Sequence, residues 1–391
     1  MVKKNLLLIA LALSLGGCST LDKTASFFYD DEPAEKSRKE RLYEEPKPGQ
    51  GTGLQEVWQR SVSGDPDKYM FHPKLLAFDA NHIYVGSFDG EITRLDKKRG
   101  GTLWQEPLGG PIRGGVAVDG QAVYAGTANG ELVALNLQDG SELWRASLSS
   151  AAASAPLAVD NMVIIVTLDN RTYAFNATTG SRVWTHASVP EMLTIQGAST
   201  PTVMQDSVVV GYSSGEVLAL ARKSGKIRWR ENLTRISRSR GELDRLQDVD
   251  ADPVVSGKAL YAVNHKGQLL ALLQENGNRV WKYNTSAIRT PLIYKETRMV
   301  IVDLDGFAKG LNAMEGTLAW KTMLSDGLLT SPILYKGRVY LGDDTGRLFS
   351  LDPLSGKVVG LDRIDDPILS LTVIDDQLAI WTNEGDLTLM Q

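Results

Sequence analysis

Short apolar runs recur along most of the chain, separated by glycine turns at a constant interval. Phe88-Asp89-Gly90, Ala128-Asn129-Gly130, Ser213-Ser214-Gly215, His265-Lys266-Gly267, Leu304-Asp305-Gly306 and Asp344-Thr345-Gly346 each hold a glycine followed ten residues later by a second: Gly100, Gly140, Gly225, Gly277, Gly316 and Gly356. Four residues further stands Trp104, Trp144, Trp229, Trp281 or Trp320, with Gly360 in the last copy. Asn170, Gly180 and Trp184 make a seventh copy at the same offsets, and asparagine is the natural stand-in because it too tolerates a left-handed backbone. Asp-Gly or Asn-Gly between runs such as Ile83-Tyr84-Val85 and Ile92-Thr93-Arg94-Leu95 predicts a hairpin. The second glycine turns the chain again, into a strand that ends at the tryptophan. Pro201, Pro253 and Pro332 lie 14 residues before the first glycine of their copies, Pro156 lies 14 before Asn170, and Pro291 lies 15 before Gly306. Each precedes an apolar run, as suits a proline at the first residue of a strand.

The unit is therefore four antiparallel strands in roughly 40 residues, the size of a propeller blade. Middle strands such as Leu132-Val133-Ala134-Leu135 are apolar on both faces, as expected where a neighbouring blade covers each side. The ends of the chain complete the count. Leu369 to Gln391 supplies an eighth turn at Glu384-Gly385 without a closing strand, and Gly53 to Ser61 supplies a strand with Trp58 and no turns before it. Together they predict an all-β, eight-bladed propeller whose last blade is closed by the N-terminal strand. Such closure removes the exposed sheet edges that invite aggregation. Gly360, in place of a tryptophan, is expected to loosen the outer strand of blade seven.

The residues ahead of the repeats carry a different signal. Met1-Val2-Lys3-Lys4 is a short positive segment, and Asn5 to Leu15 is apolar but too short to span a bilayer. Leu15-Gly16-Gly17-Cys18, holding the one cysteine of the 391 residues, resembles the bacterial lipobox. That resemblance implies a signal peptide over 1–17, cleavage before Cys18 and lipidation of its sulfur. Ser19 follows where an inner-membrane retention aspartate would otherwise stand, which implies the outer membrane, facing the periplasm. More than one acyl chain gives stable anchoring where a single chain is marginal. Residues 19–53 are polar, with a dense charge run from Asp30 to Glu45 and then Pro46-Lys47-Pro48-Gly49. We expect a mostly disordered tether over 18–53, its ends on the order of 30 Å apart, and the propeller over 54–391.

Composition adds exclusions. Loss of Lys3 and Lys4 with the signal takes the formal charge from −5 to −7, which argues against nucleic acid and against general affinity for anionic lipid. With no cysteine left for a disulfide, the fold must hold by packing alone. The Gly-x-x-x-Trp ending resembles the repeat of quinoprotein dehydrogenases, but the vicinal cysteine pair that those enzymes share is absent from this sequence. The tryptophans read as packing between blades. His72, His82, His186 and His265 lack metal-ligand spacing. Asp303, Asp305, Asp343 and Asp344 fall at hairpin turns, where aspartate makes local hydrogen bonds. A substitution at Asp343 is expected to be neutral, and neither cofactor nor metal is expected.

Most gaps from the tryptophan to the next first strand are 10 to 12 residues, but Trp184 to Pro201 takes 17 and Trp229 to Pro253 takes 24. These adjacent insertions share one face of the disc, commonly the binding face of a repeat protein. The first carries Met192-Leu193-Thr194-Ile195, apolar for a loop; the second mixes Arg235, Arg238, Arg240 and Arg245 with Glu242, Asp244, Asp248 and Asp250. Either the loops pack on each other or they bind a partner. Gly241 to Asp250, followed by Pro253-Val254-Val255, resembles a signature of the outer-membrane assembly factor B family, lipid-anchored eight-bladed propellers of the β-barrel assembly machinery. The resemblance implies a non-enzymatic scaffold that docks on the POTRA domains of the central barrel subunit, meets the other assembly lipoproteins indirectly, and promotes folding and insertion of outer-membrane proteins. By that resemblance Leu193, Ile195, Gln196, Asp248 and Asp250 face the partner, with Arg245 beside them. Gln196 stands where the family often has arginine. The alternatives are a quinoprotein enzyme and a periplasmic propeller reading peptide or glycan in its central channel.

Overall fold

A computed structural model describes residues 43–62, 74–189, 198–233, 249, 251–264, 268–287 and 289–391. Every regular element among them is a strand, and the strands form eight sheets of four. Seven blades are consecutive in sequence: 76–107, 112–147, 157–187, 202–232, 254–284, 292–323 and 333–363. The eighth joins Ile368–Ile374, Gln377–Thr382 and Asp386–Met390 to Glu56–Ser61, which lies outermost. The expected propeller and its closure by the N-terminal strand are both present.

Strand position within a blade explains the residue pattern. Middle strands are buried on both faces, as in Met162–Val166, where all five residues are inside. Outer strands alternate, and in Glu142–Ser147 Trp144 is the one buried residue. Six of the eight inner strands are three residues long; each of the prolines Pro156, Pro201, Pro253, Pro291 and Pro332 stands just ahead of one of these, where its missing N–H costs no ladder bond.

The tryptophans clasp neighbouring blades. Trp144 Nε1 donates to the Ala177 carbonyl of the next blade at 2.8 Å, and Trp58, Trp104, Trp184, Trp229, Trp281 and Trp320 make the same bond to Lys97, Leu137, Arg222, Gln274, Ala313 and Pro353. The second glycine of the repeat is the other half of the clasp. A Cβ at Gly180 would stand 2.7 Å from the Trp144 ring, so a side chain there would push the indole out. Its positive φ of 67° alone would favour glycine, and the ring contact adds a second reason.

Gly360 departs from the expectation of a loosened strand. Blade eight has no turn between its third and fourth strands, because Asp386–Met390 and Glu56–Ser61 are not consecutive in sequence. No glycine is therefore presented for a tryptophan at 360 to cover. The incoming chain occupies the place instead: a Cβ on Gly360 would lie 2.7 Å from both the Gly51 carbonyl oxygen and Thr52 Cα. Leu361 N donates to Gln50 O at 3.2 Å, Gln50 Nε2 to Val359 O at 2.9 Å, and Thr52 N to the Asp362 carboxylate at 3.1 Å. Further up, Tyr43 donates its hydroxyl proton to Leu324 O and accepts from Arg347 Nη1, both at 2.7 Å, while Arg363 pairs with Glu45. Residues 43–53, which the sequence assigns to the tether, thus form a strap along blade seven.

Asp343 is likewise more than a neutral turn residue. It is fully buried and accepts from Thr345 N, Arg347 N, Arg347 Nε and Ser325 Oγ, and Arg347 is almost as deeply buried. Removing Asp343 would leave buried Arg347 with only the partly exposed carboxylate of Asp326, and breaking a buried pair costs about 3–5 kcal/mol. Exposed Asp206 is the better neutral control.

Candidate partner-binding face

Antiparallel pairing carries the chain from one face of the disc to the other along each strand. Interblade loops and the first-glycine hairpins share one face; the remaining turns share the opposite one. Most interblade connections span four to nine residues, whereas fourteen separate Ala187 from Thr202 and twenty-one separate Asn232 from Val254. Leu193, Ile195, Gln196, Arg245, Asp248 and Asp250, the residues expected to meet a partner, lie outside the described residues, as does Cys18. What the structure defines is how the ends of these loops are held.

Asn170 anchors the start of the first loop. Its φ is 56°, the left-handed turn that Gly90, Gly130, Gly215, Gly306, Gly346 and Gly385 make at the same place in other blades. Its side chain adds what glycine lacks: Nδ2 donates to Val189 O at 3.0 Å and to Ser213 Oγ of the next blade at 2.8 Å. Ser188 N donates to Asn170 O, and Ser188 Oγ to Glu216. The second loop is pinned at both described ends. Buried Leu233 donates its N–H to Gly215 O at 2.8 Å, and its carbonyl accepts from Asn264 Nδ2 at 2.7 Å. Buried Val249 packs on Gly211, where an added Cβ would meet Val249 Cγ1 at 2.4 Å.

The connection from Ser61 to Leu76 is also fourteen residues long, a third long loop that sequence reading passes over because the closing strand stands apart from the repeat count. Its described end, Lys74, forms an ion pair with Asp252.

The titratable groups fit a structural part. His82 Nδ1 lies 3.0 Å from Asp79 Oδ1, and Asp79, bonded by backbone N–H groups and by Tyr84, is held at a pKa of about 2 against the desolvation that would raise it. Burial, reinforced by Arg230, lowers the His186 pKa. His72 and His265 are outside the described residues. Asp303 accepts from Asp305 N and Phe307 N and pairs with Lys309. Its oxygens are taken up within its own hairpin, whereas Asp343 also accepts from Ser325 of the preceding connection. Among the described residues no group of three His, Cys, Asp or Glu side chains is placed to hold a metal ion.

A sequence model of the family described as outer membrane protein assembly factor BamB matches residues 88–303 and 285–370. The chain belongs to that family. A BamB from Pseudomonas aeruginosa is 38% identical over 358 residues, covering 91% of this chain and 90% of that one. BamB proteins from Escherichia coli and Legionella pneumophila align over 168 residues at 32% and 29% identity, so the match spans 42% and 43% of their lengths. The crystal structure of BamB from Moraxella catarrhalis superposes with a TM-score of 0.77 at 23% identity, covering 86% of this chain and 99% of that one. A quinohemoprotein alcohol dehydrogenase from Comamonas testosteroni shares the propeller at a TM-score of 0.65 and 13% identity, over 86% of this chain and 76% of that one. At those identities both structural likenesses speak to fold alone. BamB membership rests on the sequence matches, and the insertions between blades three, four and five sit on a ring of the BamB kind.

Proposed function

We propose that this chain is a non-enzymatic scaffold of outer-membrane protein assembly, anchored in the outer membrane by lipid on Cys18 and facing the periplasm. In this reading residues 1–17 are the signal peptide. The propeller docks on the POTRA domains of the central barrel subunit and so promotes folding and insertion of outer-membrane proteins. The observation that carries the reading is the pair of long loops, adjacent on one face and rooted in buried residues at Leu233 and Val249, on a chain of the assembly factor family. Rigid roots lower the ordering cost of binding, which otherwise takes about 0.5–1.5 kcal/mol per immobilised side chain. Leu193 and Ile195 form the apolar anchor, Gln196 faces the partner beside them, and Arg245, Asp248 and Asp250 form the charged rim of a standard interface.

Two experiments test it. Cys18→Ser is expected to abolish labelling with palmitate and to release the protein from outer-membrane fractions; continued labelling would contradict the anchor. Leu193→Ala and Asp248→Ala are each expected to weaken co-purification with the barrel subunit, by roughly 2–5 kcal/mol where a buried charge loses its partner, with melting curves near wild type. Asp206→Asn, on the opposite face, is expected to change neither. Loop variants that melt early while binding normally would mean that the loops only pack on each other.

A further inference from the structure

The three long loops end on one carboxylate. Asp252 Oδ1 accepts the backbone N–H of Thr200 at 2.6 Å, at the end of the loop between blades three and four. Asp252 itself closes the loop between blades four and five, and its own N–H donates to Thr290 Oγ1 of the following connection at 3.1 Å. Its Oδ2 pairs with Lys74, at the end of the connection into blade one. The Lys74 carbonyl accepts Val116 N at 2.9 Å, which fixes Lys74 against blade two. Blades one and five stand opposite each other in a ring of eight, so the Lys74–Asp252 pair crosses the mouth of the central channel rather than joining neighbours.

Magnitudes separate two reasons for such a pair. Lys74 is 51% exposed and Asp252 15%, and an ion pair with one solvated partner contributes little to stability. Holding the ring together is the task of the tryptophan clasps. What the pair does fix is relative position: it ties the end of one long loop to the ends of the other two, two residues from Asp250.

We infer that Asp252 is a positioning residue for the partner-binding face, setting the spacing of the two binding loops through Thr200 and bracing them across the channel through Lys74. The inference rests on the docking role proposed above. It also gives the channel mouth at this face an ion-pair brace, where a peptide or glycan would otherwise enter.

The test is affinity of the full chain for the POTRA domains of the barrel subunit, read beside the melting temperature. Asp252→Asn keeps an acceptor for Thr200 and removes the charge that Lys74 needs; Lys74→Met removes the same pair from its other end; Asp252→Ala removes both bonds. Asp252→Asn and Lys74→Met are expected to weaken binding alike, by about threefold or more, and their double variant no further than either alone. Asp252→Ala is expected to weaken it most, all at unchanged melting temperature. Asp248→Ala in the same assay reports on the docking reading itself. If Asp248→Ala weakens binding while the Asp252 and Lys74 variants bind as wild type, the inference is overturned and the docking reading stands. Losses of affinity that only track losses of melting temperature would make Asp252 a structural tie and overturn it too. A wild-type chain that does not bind the POTRA domains removes both.

Discussion

Deleting residues 54–62 is expected to leave a chain that cannot close its ring and that aggregates when expressed. Glu56–Ser61 is the outer strand of blade eight, paired with Asp386–Met390 through Trp58 opposite Leu389, Gln59 opposite Thr388 and Arg60 opposite Leu387. Gln55 and Gln391 exchange two further backbone bonds at 2.9 and 2.8 Å. The deletion removes Trp58, buried on Gly100 of blade one, and with it the clasp to the Lys97 carbonyl. Loss of a buried tryptophan alone costs about 3–5 kcal/mol. With backbone bonds at about 1 kcal/mol each, the sum approaches the ~5–15 kcal/mol that holds a typical domain folded. The third strand of blade eight would then stand as an open edge, ready to pair with another chain. Deleting 22–42 instead, which leaves the strap from Tyr43 onward, is expected to keep the thermal transition of the propeller in place. Size-exclusion chromatography and a melting curve on both deletions check this; equal behaviour would contradict closure by the N-terminal strand.

Trp144→Ala should cost about 3–5 kcal/mol in a chemical-denaturation experiment. Trp144 is 8% exposed. Its ring covers Gly180 and its Nε1 satisfies the Ala177 carbonyl, so truncation opens a cavity between blades two and three and leaves that carbonyl without its donor. The adjacent Leu143 is 48% exposed on the outer surface of the same strand, and Leu143→Ala should fall within about 0.5 kcal/mol of wild type. The contrast between neighbours is the informative part. A cost below about 1 kcal/mol for Trp144→Ala would mean that the repeated tryptophans are not what joins the blades.

The propeller was legible in the sequence because the ten- and four-residue spacings recur without insertion in seven copies, with the first glycine and the tryptophan each present in six. Asn170 illustrates the limit of that reading: its left-handed turn follows from asparagine chemistry, but its bond to Ser213 depends on which blade comes next to it. Gly360 shows the same limit from the other side. It looks like a lost packing residue until the strap is placed beside it, and then the space is seen to be filled by Gly51 and Thr52. The strap itself has no apolar periodicity, since it is held by hydrogen bonds from Tyr43, Gln50 and Thr52. In the sequence Asp343 shows only its turn position, and burial of Arg347 beside it comes from the strap and the neighbouring loop. The candidate face was legible as loop length for two insertions and not for the third, whose flanking strand belongs to the last blade. Asp252 carries no sequence signal, because Thr200 and Lys74 meet it only in the closed ring.

Docking through the loop face is tested most directly by photo-crosslinking in intact cells. A photoreactive residue placed at Leu193 or at Asp248 is expected to give a covalent adduct with the central barrel subunit of the assembly machinery, and one at Asp206, on the opposite face, is expected to give none. Adducts from Asp206 but from neither loop position would contradict the account.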